Sequence, residues 1–208
     1  MKPSRNPAIS LRKEPRQDRS KDLVGAVLQA AIRILKTEGA AHFTMARIAE
    51  KAGVSVGSLY QYFPNKQAVL FRLQTAEWQE NGAYLARILA DRRKSPQTRL
   101  KSMIRHFFHS ECEEAPFRRA LDEAAPLYRR TPEAHSQRGT VTAIMDAFLL
   151  EAVPGMNAAK RAFAGDVVMT AISAIGKQVS EQERTAEEID ALAGATGEML
   201  AGWLKREA

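Results

Sequence analysis

Apolar residues along this chain return at steps of three and four, with no run of strict alternation, so the pattern is helical from end to end. Val24, Val27, Leu28, Ala31 and Leu35 share one face of a first helix expected at about 20–38. A connecting helix is expected over 66–91, and Ser95-Pro96 then marks a break. Leu100, Met103, Ile104, Phe107 and Phe108 recur at i, i+3, i+4, i+7 and i+8, one apolar stripe of a helix near 98–114. Pro116, Pro126 and Pro132 cut the following stretch into a short helix at about 117–124 and a turn. Val141, Ile144, Met145, Phe148 and Leu149 make another stripe near 138–152, stopped by Pro154-Gly155. Two last helices, about 158–180 and 185–205, carry Val168, Ala171, Ile172, Ile175 and Val179, then Ile189, Leu192, Thr196, Met199, Leu200 and Trp203. No internal repeat is found, and the fold class predicted is all-α.

Residues 44–66, TMARIAEKAGVSVGSLYQYFPNK, break the plain amphipathic pattern. Thr44 is a good N-cap, since its hydroxyl can accept from an otherwise unpaired backbone N–H, and Ile48 and Ala49 form the apolar side of the short helix it opens. Gly53 can take the left-handed conformation that a tight stop requires. Ser55 is a second N-cap candidate, with Val54 and Leu59 as the next apolar positions. Two short helices joined by a three- to four-residue turn containing glycine make the unit whose second helix enters the DNA major groove, although structural helical hairpins use the same turn. Gly57 and Ser58 leave the start of the second helix unobstructed, and glycine there costs roughly 1 kcal/mol of helix stability against alanine. Pro64 pushes Phe63 out of the helical region and ends that helix. Asn65 can cap the next helix and places Lys66 in its first turn, where a cation opposes the helix dipole. An external anion such as a DNA phosphate would relieve that conflict.

These residues resemble the TetR family of transcriptional regulators. The resemblance rests on the helix at about 20–38, Thr44, Ile48-Ala49, Ala52-Gly53-Val54-Ser55, Gly57-Ser58-Leu59-Tyr60, Tyr62-Phe63 and Lys66, and covers about residues 20 to 70. It implies that Thr44, Tyr60 and Lys66 contact phosphates, while Arg47, Ser55, Val56, Gly57, Ser58, Gln61 and Tyr62 face bases or the sugar-phosphate edge. The family varies widely at the position of Gln61, so sequence preference is expected to be set there, and its amide can bond adenine through both ends. Phe63 is expected in the core, and Tyr60 is a better surface candidate than Tyr62.

The resemblance also implies an architecture: a basic arm at 1–19, a three-helix helix-turn-helix head at 20–66, and a larger effector-binding and dimerisation body at 67–208. In such a body the helices at about 158–180 and 185–205 form a four-helix bundle with their two-fold mates. Ala164, Gly165, Ala171, Ala174, Gly176, Gly194, Ala195, Gly197, Ala201 and Gly202 are compatible with that close approach, or with close packing inside one chain. A homodimer would present two recognition helices one helical turn apart, so the operator should be a near-palindrome. The family's small-molecule pocket has candidate walls in Met103, Phe107, Phe117, Leu121, Tyr128, Met145, Phe148 and Met169, because flexible methionines and flat aromatics suit an adaptable apolar cavity. The commoner mode in the family is a repressor released when a ligand prefers one of two arrangements of the heads.

Charge changes the picture independently. Residues 1–70 hold 12 Lys+Arg against 5 Asp+Glu, a net +7, and the remaining residues hold 19 of each. The excess therefore falls on the expected DNA-binding third, where it would supply the sequence-independent part of DNA affinity. Lys2, Arg5, Arg12, Lys13, Arg16, Arg19 and Lys21 lie in a segment with too little apolar content to fold alone. It could act as a DNA-contacting arm or as a solvated tail.

No run of 18 apolar residues and no secretory signal is seen, and the single Cys112 excludes an intrachain disulfide, so a cytoplasmic location without membrane contact is expected. The three-residue spacing of His106, His109 and Cys112 spreads the side chains over roughly 120° of a helix, too wide for a convincing metal site, and no cofactor is expected. No phosphate loop, nucleophile elbow or zinc-helix motif is present, so an enzyme is not expected. A helical interaction module or an activator of the same fold is the alternative; a module without DNA binding would leave Lys66 and the charge partition unexplained.

Overall fold

The computed structural model describes Leu11 and residues 18–124 and 131–207, and every regular element among them is helical. The chain divides into two compact units, Met1–Trp78 with Pro116–His135, and Gln79–Ala115 with Ser136–Ala208.

In the first unit, α1 (Asp18–Thr37) buries Val24, Val27, Ala31, Ile34 and Leu35 along one face. It ends at Gly39, whose φ of 81° suits glycine and whose N–H donates to Ile34 O at 2.9 Å. A short 3-10 turn at Ala40–His42, for which the apolar pattern carries no signal, leads to buried Phe43. Helices α2 (Met45–Ala52) and α3 (Val56–Tyr62) follow, and α4 (Lys66–Ala90) begins in this unit. Ile48, Ala49, Leu59 and Phe63 close onto α1, with Ala68 and Val69 of α4 in the same core. Helix α6 (Ala115–Ala124) adds Phe117, Ala120 and Leu121 to it. That placement departs from the sequence expectation, which put everything beyond residue 66 in the body. The short helix expected at about 117–124 is present and starts two residues earlier, with Pro116 in its first turn, where no N–H donor is needed.

The second unit is built around α5 (Pro96–Glu113), which packs on both α8 (Ala158–Ser180) and α9 (Ala186–Arg206). Leu100, Met103, Ile104 and Phe108 of α5 meet Val168, Ile172 and Val179 of α8 and Ile189, Leu200 and Leu204 of α9. Helix α7 (Pro132–Ala152) contributes Met145, Phe148 and Leu149. It starts at Pro132, earlier than the expected 138, since proline fits the first helical position. Three of the glycines read as small-residue spacers face neighbours of their own chain. A Cβ on Gly176 would lie 2.8 Å from the Phe107 ring, one on Gly197 2.8 Å from Lys101 Cγ, and one on Gly165 3.2 Å from Met145 Cγ.

Arg99 is 1% exposed, the largest of the fully buried side chains. It donates to Leu89 O and to the Glu151 carboxylate, and its guanidinium lies 5.4 Å from the centre of the Phe148 ring. Arg99 holds the Glu151 carboxyl below the usual carboxylate range. Further along α5, Arg105 and His109 both pair with Asp190 of α9, the histidine at 2.7 Å. His106 stacks on Tyr84 with ring centres 3.5 Å apart. No group of metal-binding side chains occurs among the described residues, and no described helix is long and apolar enough to cross a membrane.

Candidate nucleic-acid interface

The Thr44 hydroxyl accepts from Arg47 N–H at 3.2 Å and opens α2. Gly53 sits at φ 67°, ψ 30°, and its N–H reaches back to Ala49 O and Glu50 O, closing α2 and turning the chain within two residues. Ser55 then caps α3, its hydroxyl accepting from Ser58 N–H at 3.0 Å. The two serine oxygens are also 2.8 Å apart, so each hydroxyl is engaged locally. Phe63, ahead of Pro64, is extended at φ −111°, ψ 113°, and stops α3 after seven residues. Asn65 Oδ1 accepts from Ala68 N–H at 2.8 Å, and α4 starts at Lys66.

This order of caps gives α3 two unlike faces. Leu59 and Phe63 are sealed in the core, while Val56, Gly57, Tyr60 and Gln61 are exposed, Val56 at 42% and Tyr60 at 40%. Thr44, Ser55 and Lys66 are exposed as well, and no acidic side chain pairs with Lys66 among the described residues. Tyr62 departs from the expectation of a groove-facing residue: it is 9% exposed, and its ring belongs to the core. The reason is helical geometry, because Tyr62 follows buried Leu59 by three residues and shares its side of α3.

Arg47, expected at the DNA, is held by ion pairs within the head. Its Nε donates to Glu38 Oε2 at 2.8 Å and its Nη1 to Glu50 Oε2 at 2.8 Å, while Lys51 reaches Glu38 at 3.1 Å. Hydrogen bonding from Arg47, then from Lys51, against some desolvation, holds the Glu38 carboxyl at about 2, below its ordinary 4.5. Glu50 lies three residues from Arg47 on the same helix, a spacing at which side chains meet, whereas Glu38 comes from nine residues away. A carboxyl depressed in the folded state lends stability that is complete above about pH 4.5 and disappears as pH falls toward 2. Glu38→Gln is therefore expected to lower the denaturant midpoint at pH 7 and to leave it unchanged near pH 2. Equal loss at both pH values, read by circular dichroism, would mean that the network contributes packing and not charge.

A family model described as "Tetracyclin repressor-like, C-terminal domain" matches residues 95–206, and one described as "Bacterial regulatory proteins, tetR family" matches residues 27–73. The chain belongs to the TetR family of transcriptional regulators. As a TetR-family member it is a DNA-binding regulator, and the α2–turn–α3 unit is its helix-turn-helix. Solved structures share the fold at low identity. A Mesorhizobium loti protein assigned to the TetR family is 16% identical with a TM-score of 0.69, over 89% of this chain and 98% of that one. FadR of Bacillus subtilis, solved with stearoyl-CoA, is 18% identical with a TM-score of 0.64, over 85% and 97%. AlkX of Dietzia sp., a TetR-family repressor implicated in n-alkane biodegradation, is 23% identical with a TM-score of 0.55, over 93% and 98%. No curated protein sequence matches this chain.

The eight effector-wall candidates do not gather in one unit. Met103, Met145 and Phe148 are buried and Phe107 and Met169 half-buried in the second unit, whereas Phe117 and Leu121 belong to the core of the first. Tyr128 lies outside the described residues.

Proposed function

We propose that this TetR-family regulator represses transcription by occupying a near-palindromic operator as a homodimer, and that a small, largely apolar molecule releases it. The observation that carries the reading is the exposed row Val56, Gly57, Tyr60 and Gln61 on a capped recognition helix, flanked by exposed Thr44 and Lys66. Thr44, Tyr60 and Lys66 are assigned to phosphates, and Ser55, Val56, Gly57, Ser58 and Gln61 to the groove; Arg47 and Tyr62 serve the fold of the head. Phe163 at 65% exposure and Met199 at 56% stand on α8 and α9, where Gly194 and Gly202 have open space above them. Exposed apolar side chains on these two helices support a second copy of the chain as their cover. The methionines and aromatics of the second unit suit an apolar effector, and the stearoyl chain of the stearoyl-CoA in the B. subtilis structure is in keeping with that chemistry.

Fluorescence anisotropy against duplexes tiling the DNA beside the protein's own gene, at physiological salt, tests this. Binding to one tile about a thousandfold tighter than to a scrambled duplex is expected. Uniform weak binding, followed by a genome-wide selection that enriches no sequence, would overturn the operator reading.

A further inference from the structure

We propose that Val56 reads the 5-methyl group of a thymine in each half of the operator. This rests on the operator-binding reading and deepens it by naming a base. Val56 is the first residue of α3 and 42% exposed, and in the first unit only Tyr60 is a comparably exposed large apolar residue among the described ones. Its neighbours leave it as the leading chemistry of the helix start. The Ser55 and Ser58 hydroxyls bond each other at 2.8 Å. Gly57 offers no side chain, and a Cβ built there would meet only Ser55 Oγ, at 3.8 Å. A β-branched residue is also a poorer helix former than alanine, so helix formation does not account for valine at this position.

A valine carries no donor or acceptor and gains nothing from the polar edges of adenine, guanine or cytosine. The thymine methyl is the apolar feature of the major groove, and two apolar surfaces there exclude water together. Cytosine would set an amino donor against the isopropyl group with no partner for it, so the position should discriminate against C·G. Tyr60, one turn further along the same face, is placed to hold the helix at the backbone while Val56 meets the base.

The test uses the full chain and the duplex it selects from a random library. Each thymine is replaced in turn by deoxyuridine, which removes the methyl and keeps the pairing. One symmetry-related thymine is expected to lose roughly fourfold in affinity per half-site on demethylation, the worth of one buried methyl. Val56→Ala is expected to bind more weakly by a similar factor and to be indifferent to demethylation at that thymine alone. Alanine is the better helix former, and an unchanged thermal midpoint with unchanged binding to random DNA confirms that the head is intact. Tight selective binding with no methyl-sensitive thymine, or the same sensitivity in Val56→Ala as in the wild type, overturns the Val56 assignment and leaves the operator reading standing. A library that enriches no sequence overturns both.

Discussion

Phe63→Ala is expected to destabilise the helix-turn-helix unit by about 3–5 kcal/mol, the usual cost of emptying a fully buried phenylalanine site. Phe63 is 0% exposed and sits among Leu59, Ile48 and the buried face of α1. It also holds the extended backbone that stops α3 ahead of Pro64, so the surrounding helices have little freedom to collapse into the vacancy. Small domains are stabilised by roughly 5–15 kcal/mol, so this single change removes a large share. Urea denaturation followed by circular dichroism should show a lower midpoint, and operator binding at 37 °C should fall with the population of folded head. A loss under about 1 kcal/mol would show that the site repacks around the missing ring.

Tyr60→Ala with Lys66→Ala is expected to leave the fold intact and to remove most of the operator affinity. Both residues are exposed, so neither substitution opens a core. A lysine–phosphate contact releases about one counterion, worth roughly fivefold in affinity at physiological salt. A hydrogen bond from a tyrosine hydroxyl to a charged phosphate is worth roughly tenfold or more. Taken over the two protomers of a dimer, the pair should carry on the order of a thousandfold. Salt separates the two residues. Lys66→Ala should flatten the plot of log affinity against log salt by about 0.9 per protomer, whereas Tyr60→Ala, which removes no charge, should lower affinity and keep the slope. An unchanged slope in Lys66→Ala would place Lys66 away from the backbone and return its exposed position at the start of α4 to chance.

How far each feature was readable follows from its range along the chain. Thr44, Gly53, Ser55, Pro64 and Asn65 act on backbone groups within four residues of themselves, so their spacing alone located α2, the turn, α3 and the start of α4. The stripes of α5, α7, α8 and α9 were likewise legible, because a helix that buries one face repeats it every three or four residues. The 3-10 turn after Gly39 was not, since it carries no apolar period.

What the sequence by itself determined was therefore the helical class and the helix-turn-helix, both set by local backbone chemistry and periodicity, while the residues expected at the DNA came from the family resemblance. The tertiary structure decided the rest, where partners come from distant elements. The resemblance put Arg47 at the DNA, and the turn that follows α1 sets Glu38 against it. Nothing in the apolar pattern marks Arg99, yet α7 delivers Glu151 from 52 residues away and the side chain is sealed inside. Phe117 and Leu121 carried the composition of a pocket wall and lie instead in the core of the first unit. Periodicity says which face of a helix is buried, and only the meeting of helices says against what, because burial and ion pairing depend on neighbours in space and not on neighbours in the chain.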